Sequence, residues 1–314
     1  MSAPKNPPFR AEHLGSLKRP DNLLAARRDV HEHKSTADSL PTIEDRAIAD
    51  VVKIQEQCGF HAPSDGEYRR HMFWGTFFPS LQGFTEIQGP SVDIFREYVP
   101  DIAAFLEADH VPGETVICEA YPKEVYANDQ EYFADIAKAY RTELQILYDA
   151  GLRNAQKMLD GWSADTSNTQ TADELFDSYI AFYNDCFQRP QDMHLGIHLC
   201  RGNFVNSRHF SEGGYDRIAV KLFRNLNFVV LGVVTSKFPK LEDKKEMVDR
   251  VMDAAKFVAE GSGQSVQQAL QRMGVSPQCG FASHSEGNLL TYDDMVEKLK
   301  LVRAIADEIW PGEP

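Results

Sequence analysis

The sequence predicts an α/β protein, and the repeated alternation of its elements favours a (β/α)8 barrel. Helical spacing of apolar residues recurs along the chain, and short strand-like segments lie between the helical ones. Strands that alternate with helices imply right-handed crossovers and a parallel sheet, and many repeats in one chain favour closure of that sheet. The alternative is an open doubly wound sheet, although the chain contains neither a GxGxxG nor a GxxxxGKS/T phosphate-binding loop.

Seven segments have apolar residues spaced three and four apart, as an amphipathic helix requires. In chain order these segments are 43–57, 92–107, 132–150, 172–186, 215–225, 244–260 and 291–309. Short apolar runs bounded by turn residues predict seven strands. They are the ends of FRAEHLGS and SDGEY, followed by ETVIC, LRNAQ, MHLGIHLC, NFVVLGVVTSK and VSPQCGF. Because a barrel of this kind has eight strands, we expect it to lack one or more strand segments.

Composition and charge fit one domain that acts on small molecules. The chain has 314 residues, of which 42% are hydrophobic, so a single domain over 1–314 can bury a substantial core. A net charge of −14 argues against nucleic acid as a partner. No apolar run approaches the roughly 18 residues that span a bilayer, and no signal peptide is recognisable, so we expect a cytoplasmic protein without a membrane partner. The five cysteines are an odd and scattered set, as expected for reduced thiols or metal ligands.

The stretch MHLGIHLCRGNF, residues 193–204, alternates apolar residues with His194, Gly196, His198 and Cys200. Because successive strand residues point to opposite faces, His198 and Cys200 project from the same face of this strand. A nitrogen and a sulfur at that spacing can bind one tetrahedral metal ion, and barrel active sites lie at the C-terminal ends of the strands. The alternative is a buried polar pair inside the barrel. We expect His194 to lie deep in the barrel with a structural role.

Cys279 ends the last predicted strand, in SPQCGFAS, and could supply a third metal ligand from another strand end. The next residue, Gly280, suits a turn. The alternative is that Cys279 is only packed, since cysteine is among the residue types most often buried.

Three polar segments could hold a substrate. In EHLGSLKRP the backbone of Gly15 and Ser16 could bind an anion, or could form only a strand-to-helix turn. In SDGEYRR a carboxylate of Asp65 or Glu67 could hold an amine and an arginine could hold a carboxylate, or the segment could be a solvated cluster of charges. In VVTSKF, residues 235–237 lie at a strand end where barrels often bind phosphate.

Taken together, these motifs resemble one protein family. FRAEHLGSLKRP, DGEYRR, HLCRGN, VVLGVVTSK and SPQCGFAS…GNLLT are similar, in order and along nearly the whole chain, to the catalytic C-terminal domain of cobalamin-independent methionine synthase and to its stand-alone short members. The resemblance implies a (β/α)8 barrel related to uroporphyrinogen decarboxylase. It also implies a zinc cofactor that activates a thiol, and transfer of a methyl group from a methyltetrahydrofolate to homocysteine.

The resemblance also implies roles for individual residues of this chain. The family's zinc ligands match His198, Cys200 and Cys279. The turn that contacts its amino-acid substrate matches Gly15 and Ser16, and the glutamate that holds the substrate amine matches Glu67. The implied partners are a small thiol substrate and a folate-type methyl donor.

The chain departs from the family pattern at three abrupt joins, in VICEAYPKEVY, GLRNAQKMLDG and NLNFVVLG. The family carries a glutamate zinc ligand in a segment that NLNFVVLG passes over, and an aspartate that holds the substrate amine in a segment that NAQKMLDG skips. Omission of a parallel strand would leave backbone groups unpaired, so three explanations are open. They are segments absent from the sequence through disorder or wrong splicing, a degenerate homologue that binds without catalysing, and a chain completed by a partner. A related zinc-dependent alkyl-thiol transferase is a further alternative, and a decarboxylase of the haem pathway is a distant one.

Overall fold

A computed structural model describes most of the chain. It covers residues 9–70, 73, 85–88, 116–119, 126–149, 154–158, 172–186, 188, 190, 193–203, 207, 215–224, 226–285 and 287–314. The chain divides into two compact units, one formed by 1–73 with 200–314 and the other by 74–199. The prediction of a single domain over 1–314 stays a prediction.

Helices and strands both occur among the described residues, so the mixed α/β class is confirmed. In chain order the elements are α1 (Asp21–His31), a short 3-10 helix (Ala37–Ser39), α2 (Leu40–Gln57), β1 (Thr85–Gln88), β2 (Val116–Glu119), α3 (Asp129–Asp149), β3 (Asn154–Met158), α4 (Ala172–Cys186), β4 (His194–His198), α5 (Asp216–Arg224), β5 (Val229–Val234), α6 (Lys244–Ser262), α7 (Val266–Leu270), β6 (Met273–Pro277) and α8 (Tyr292–Ile309). None of the helices in the described ranges has both the length and the apolar character needed to cross a membrane.

Six of the seven predicted helices are confirmed, as α2, α3, α4, α5, α6 and α8, with ends that agree within a few residues. The seventh prediction, over 92–107, lies outside the described residues. The sequence did not predict α1, which begins after Pro20 and buries only Leu23. A helix that buries one side chain has no apolar stripe, so periodicity could not reveal it.

In the first unit β5 and β6 form a parallel pair, and a single parallel bridge joins Ala11 to Val275 of β6. Gly232 of β5 is required there, because a Cβ would lie 2.8 Å from Cα of Gln278. The core of this unit contains side chains from the strand pair and from α2, α6 and α8, among them Val51, Val233, Val251, Val275 and Leu299. The carboxyl ends of parallel strands meet at one edge of a sheet, so the residues that follow β5 and β6 lie at the same edge.

In the second unit β1 pairs with β2 in antiparallel orientation, and β3 pairs with β4 in parallel orientation. The β3–β4 register runs from Asn154 opposite His194 to Met158 opposite His198. A small core of this unit joins α3, α4 and the start of β4, and its fully buried members are Ala137, Leu144, Cys186 and Met193. β3 spans the abrupt join within LRNAQKM, so the chain forms a paired strand across that join.

Five of the seven predicted strands are confirmed, as β2 to β6, although β6 begins two residues before the predicted VSPQCGF. FRAEHLGS contributes only the bridge at Ala11. The prediction of a strand in SDGEY is wrong, because Gly66 and Glu67 have φ values of +66° and +61° and the segment forms turns. The antiparallel β1–β2 pair contradicts the expectation of a purely parallel sheet within the described ranges. Closure into a (β/α)8 barrel stays a prediction.

Candidate functional site

Three residues with metal-binding side chains lie close together at strand ends. His198 is the last residue of β4, Cys200 follows two residues later, and Cys279 lies two residues after β6. The ligand atoms of the three side chains all lie within 4.8 Å of one another. His198 and Cys200 are partly exposed, whereas Cys279 is buried. The structure therefore brings the three predicted ligands together, but His194 is exposed, so the buried role expected of it is wrong.

The turn after Cys200 orients its sulfur atom. Gly202 has a φ of +94°, a conformation that favours glycine, and its N–H donates a hydrogen bond to Cys200 Sγ over 3.3 Å. An N–H group that donates to a sulfur atom stabilises the thiolate, which is the form of cysteine that binds metals. The positive φ of Gly202 therefore explains why glycine occupies this position in HLCRGN.

The segment after Cys279 packs directly against the turn at Gly15 and Ser16. A Cβ at Gly280 would lie 2.6 Å from the backbone nitrogen of Ser16, so only glycine permits this approach. The N–H of Phe281 donates to the carbonyl oxygen of Ser16 over 2.6 Å. Gly15 has a φ of +69°, which turns the chain at this point. The turn predicted to contact substrate thus lies beside a predicted metal ligand.

Glu67 also lies at this turn. The hydroxyl of Ser16 donates a hydrogen bond to one carboxylate oxygen of Glu67, and Arg70 forms an ion pair with the other oxygen. The N–H of Glu67 donates to Asp65 over 2.8 Å, which helps to hold its positive φ. The three residues predicted to bind substrate therefore form one cluster.

Other polar residues singled out in the sequence contact protein groups. Arg69 is half exposed and pairs with Glu44 and Asp45 of α2, so the charge-cluster alternative applies to it. In VVTSKF, the N–H of Thr235 donates to Glu242 over 2.7 Å. The prediction of a phosphate site at residues 235–237 stays a prediction.

Arg19, which is 2% exposed, was not predicted as a functional residue. Its guanidinium group donates hydrogen bonds to the carbonyl oxygens of Ala282, His284, Glu67 and Arg70. Burial lowers the pKa of Arg19 to about 10, so the group remains protonated at neutral pH. Arg19 therefore ties the Glu67 turn to the loop after Cys279, and the only signal in the sequence was an arginine next to the Gly15–Ser16 turn.

Asn203 and Lys237 form hydrogen bonds near the two cysteines that the sequence did not predict. Lys237 Nζ donates to Asn203 Oδ1 over 2.8 Å and to the carbonyl oxygen of Gly202 over 3.2 Å. Burial lowers the pKa of Lys237, an effect opposed by the nearby thiols. Burial, with the charges of Cys200 and Cys279, raises the pKa of Tyr215 to about 12, so Tyr215 carries its proton at neutral pH.

Comparison with known proteins identifies relatives along nearly the whole chain. The uncharacterized protein YxjG of Bacillus subtilis is 31% identical, and the match covers 98% of this chain and 96% of YxjG. That alignment is 373 residues long, whereas the chain has 314 residues, so YxjG has segments with no counterpart here. No family model matches the chain.

Two solved structures share the fold. The putative vitamin-B12-independent methionine synthase of Listeria monocytogenes has a TM-score of 0.66 and 24% identity, over 97% of this chain and 99% of that chain. A B12-independent methionine synthase from Shewanella sp. W3-18-1, solved in complex with selenomethionine, has a TM-score of 0.60 and 16% identity, over 96% of this chain and 97% of that chain. The motifs, the fold and the similarity to YxjG agree: this chain belongs to the cobalamin-independent methionine synthase family.

Proposed function

We propose that this chain is a zinc-dependent methyltransferase that transfers a methyl group from a methyltetrahydrofolate-type donor to homocysteine and so forms methionine. The observation that carries the proposal is the cluster of His198, Cys200 and Cys279, whose ligand atoms lie within 4.8 Å of one another. The adjoining turn of Gly15 and Ser16 supports a substrate site beside this cluster. The Shewanella relative was solved with selenomethionine, an analogue of the proposed product.

The donor atoms of the cluster fit zinc. One imidazole nitrogen and two thiol sulfurs are ligands that zinc prefers, and around a tetrahedral zinc ion such atoms lie about 3.5–3.8 Å apart. Atoms that lie within 4.8 Å of one another need to approach by only about 1 Å to reach that spacing. Three protein ligands are usual in catalytic zinc sites, where a fourth position is left for water or substrate. The loss of the family's glutamate ligand is compatible with such an open site.

Zinc, when bound, would lower the pKa of a coordinated substrate thiol, so that the nucleophilic thiolate is present at neutral pH. The residues of the chain hold the rest of the substrate in place. Glu67 and Ser16 are positioned to receive the α-amine, in exchange for the bond that Glu67 makes to Arg70. Arg70 is then available for the α-carboxylate, which a guanidinium group binds well. The proposal includes a cytoplasmic location, with no nucleic-acid or membrane partner.

The proposal is tested by zinc content and methionine formation together. Purified protein should hold about one zinc ion per chain and should form methionine from homocysteine and a methyltetrahydrofolate. Cys279→Ala and His198→Ala should lose zinc and at least about 100-fold of the activity, because each removes a ligand. Cys58→Ala is the matched control, since it removes a buried thiol of the core in the same unit. Absence of zinc, or a His198→Ala variant with unchanged zinc content and activity, would contradict the proposal.

A second candidate is a family member that binds zinc and a small thiol without catalysing. Two observations favour it, namely the segments of YxjG that have no counterpart here and the engagement of both Glu67 oxygens by protein groups. Stoichiometric zinc with no product from any thiol tested would select this candidate. Product formed with another small thiol, and not with homocysteine, would select a related alkyl-thiol transferase.

A further inference from the structure

Asn203 lies at the centre of a buried hydrogen-bond network beside the two cysteines. The residue is 6% exposed, and its amide makes four hydrogen bonds. Its Nδ2 donates to the carbonyl oxygen of Gly280 over 2.7 Å and to Ser283 Oγ over 2.8 Å. Its Oδ1 accepts from Lys237 Nζ over 2.8 Å and from Asn288 Nδ2 over 3.1 Å. Two donors and two acceptor sites are the full capacity of an amide side chain.

One of these bonds links the segments that carry the two cysteines. Gly280 directly follows Cys279, and Asn203 lies three residues after Cys200. The intervening Gly202 is fixed at both polar groups, since its N–H donates to Cys200 Sγ and its carbonyl oxygen accepts from Lys237. A displacement of the Asn203 amide would therefore move one cysteine-bearing segment relative to the other.

The opposite side of the Asn203 amide is held by the segment after β5. Asn288 Nδ2, which donates to Asn203, also donates to the carbonyl oxygen of Ser236 over 2.9 Å. Lys237 is the next residue and supplies the other donor. Because every position of the amide is used, the side chain has one orientation, and a fully satisfied buried network is rigid.

We propose that Asn203 is a positioning residue that sets the separation of the Cys200 and Cys279 sulfur atoms and, through it, the zinc affinity of the site. The part that concerns zinc rests on the proposed function. The separation of the thiols is a property of the chain itself and can be measured without metal. Asn203 contributes no ligand and acts only through the two backbone segments that it joins.

Two variants separate the interactions of Asn203. Asn203→Asp keeps the shape and an acceptor for Lys237, but it removes the donors to Gly280 and Ser283. Asn203→Ala removes all four hydrogen bonds. Gln55→Ala is the matched control, because Gln55 is a fully buried amide of the same unit whose hydrogen bonds include those to Val51 and Ser64.

The first measurement is metal-free. Dibromobimane becomes strongly fluorescent when it bridges two nearby thiols, and mass spectrometry of a digest identifies the Cys200–Cys279 bridge. We expect the bridging rate to fall about tenfold in both Asn203 variants and to stay within about twofold in Gln55→Ala. The second measurement is the zinc dissociation constant by competition with a chromogenic chelator, which should rise about 10- to 100-fold in the Asn203 variants only.

The outcomes are distinct. Unchanged bridging in folded Asn203→Asp or Asn203→Ala overturns the inference, and so does a loss of folding in both variants, because Asn203 would then be needed for the fold as a whole. If the wild-type protein binds no zinc, the proposed function fails while the bridging rates still decide the role of Asn203. If zinc binds but no methionine forms, the bridging rate and the zinc dissociation constant still test the role of Asn203.

Discussion

Glu12 and His13 are adjacent buried residues whose pKa values shift in opposite directions. Burial raises the pKa of Glu12 to about 7, against a smaller lowering by the hydrogen bond that it accepts from the N–H of Phe9. Burial lowers the pKa of His13 to about 4. Both side chains therefore favour the neutral form in the folded protein.

We predict that Glu12→Gln changes the pH dependence of stability. Below pH 4.5 Glu12 is protonated in both the folded and the unfolded protein, and its contribution to the free energy of unfolding is fully present. This contribution is lost as the pH rises through 7. His13 acts in the opposite sense, because protonation of the unfolded chain lowers stability as the pH falls from 6.5 to about 4. The two slopes oppose each other between pH 4.5 and 6.5, so the glutamine variant should reveal the His13 slope alone.

The measurement is urea unfolding of both proteins between pH 4.5 and 7.5. The free energy of unfolding of Glu12→Gln relative to wild type should increase by up to about 3 kcal/mol from pH 4.5 to 7, since each pKa unit corresponds to about 1.4 kcal/mol. Parallel curves for the two proteins would show that Glu12 has the same pKa in the folded and unfolded states.

At the level of residues, the sequence identified the candidate site side chains but not the residues whose hydrogen bonds hold them in place. His198, Cys200 and Cys279 have metal-binding chemistry and lie at predicted strand ends, so spacing and residue type made them candidates, and the family resemblance selected them as ligands. Arg19 and Asn203 act through hydrogen bonds to backbone groups that are distant in sequence. Such bonds leave no periodic or local signal, and only the folded chain shows them.

Lys298 connects α8 to the segment that follows β5. The side chain is fully buried, donates to the carbonyl oxygen of Lys240 over 2.7 Å and pairs with Glu242 over 3.1 Å. Glu242 in turn accepts the N–H of Thr235, two residues before Lys237. A helix position is thus tied to the segment that supports Asn203.

We predict that Lys298→Met destabilises the protein by up to about 3 kcal/mol, because removal of the buried lysine leaves the partly buried carboxylate of Glu242 without its counter-charge. Adding Glu242→Gln should restore part of this loss, since the charge is then removed as well. Lys300→Met is the control on the same helix, because Lys300 is exposed in its pair with Glu297 and should cost less than about 0.5 kcal/mol. Chemical denaturation gives the free energy of unfolding of the wild type, the two single variants and the double variant. Equal losses for Lys298→Met and Lys300→Met would contradict a special role for the buried pair.

At the level of elements, long amphipathic helices were the most predictable part of the fold. α6 and α8 bury apolar residues at helical spacing, including Val251 and Ala255 on one and Leu299 and Val302 on the other. α8 also begins with a capping box, in which Thr291 and Asp294 satisfy each other's backbone N–H groups. Turns were harder, because the Asp65 side chain and positive φ angles, rather than hydrophobic pattern, decide the SDGEY segment.

For the whole molecule, the order of motifs predicted the family, whereas strand pairing could not be read from the sequence. The β1–β2 pair is antiparallel, and pairing depends on contacts between segments far apart in the chain. The 373-residue alignment shows that YxjG has segments with no counterpart among the 314 residues of this chain, and the three internal joins stay a prediction. β3 forms across one such join, and its parallel pairing with β4 satisfies backbone groups of both strands.

We predict that zinc stabilises the folded protein. Cys200 and Cys279 are distant in sequence but lie together in the folded chain, so the native state should bind zinc more tightly than the unfolded state does. Zinc at 100 times its dissociation constant would then add about 2.7 kcal/mol to the free energy of unfolding. Removal of zinc by a chelator should lower the thermal midpoint of the wild type and of Cys58→Ala, but not that of a Cys200→Ala/Cys279→Ala double variant. Differential scanning calorimetry with and without chelator provides the measurement. An equal shift in all three proteins would locate the stabilising metal away from these cysteines.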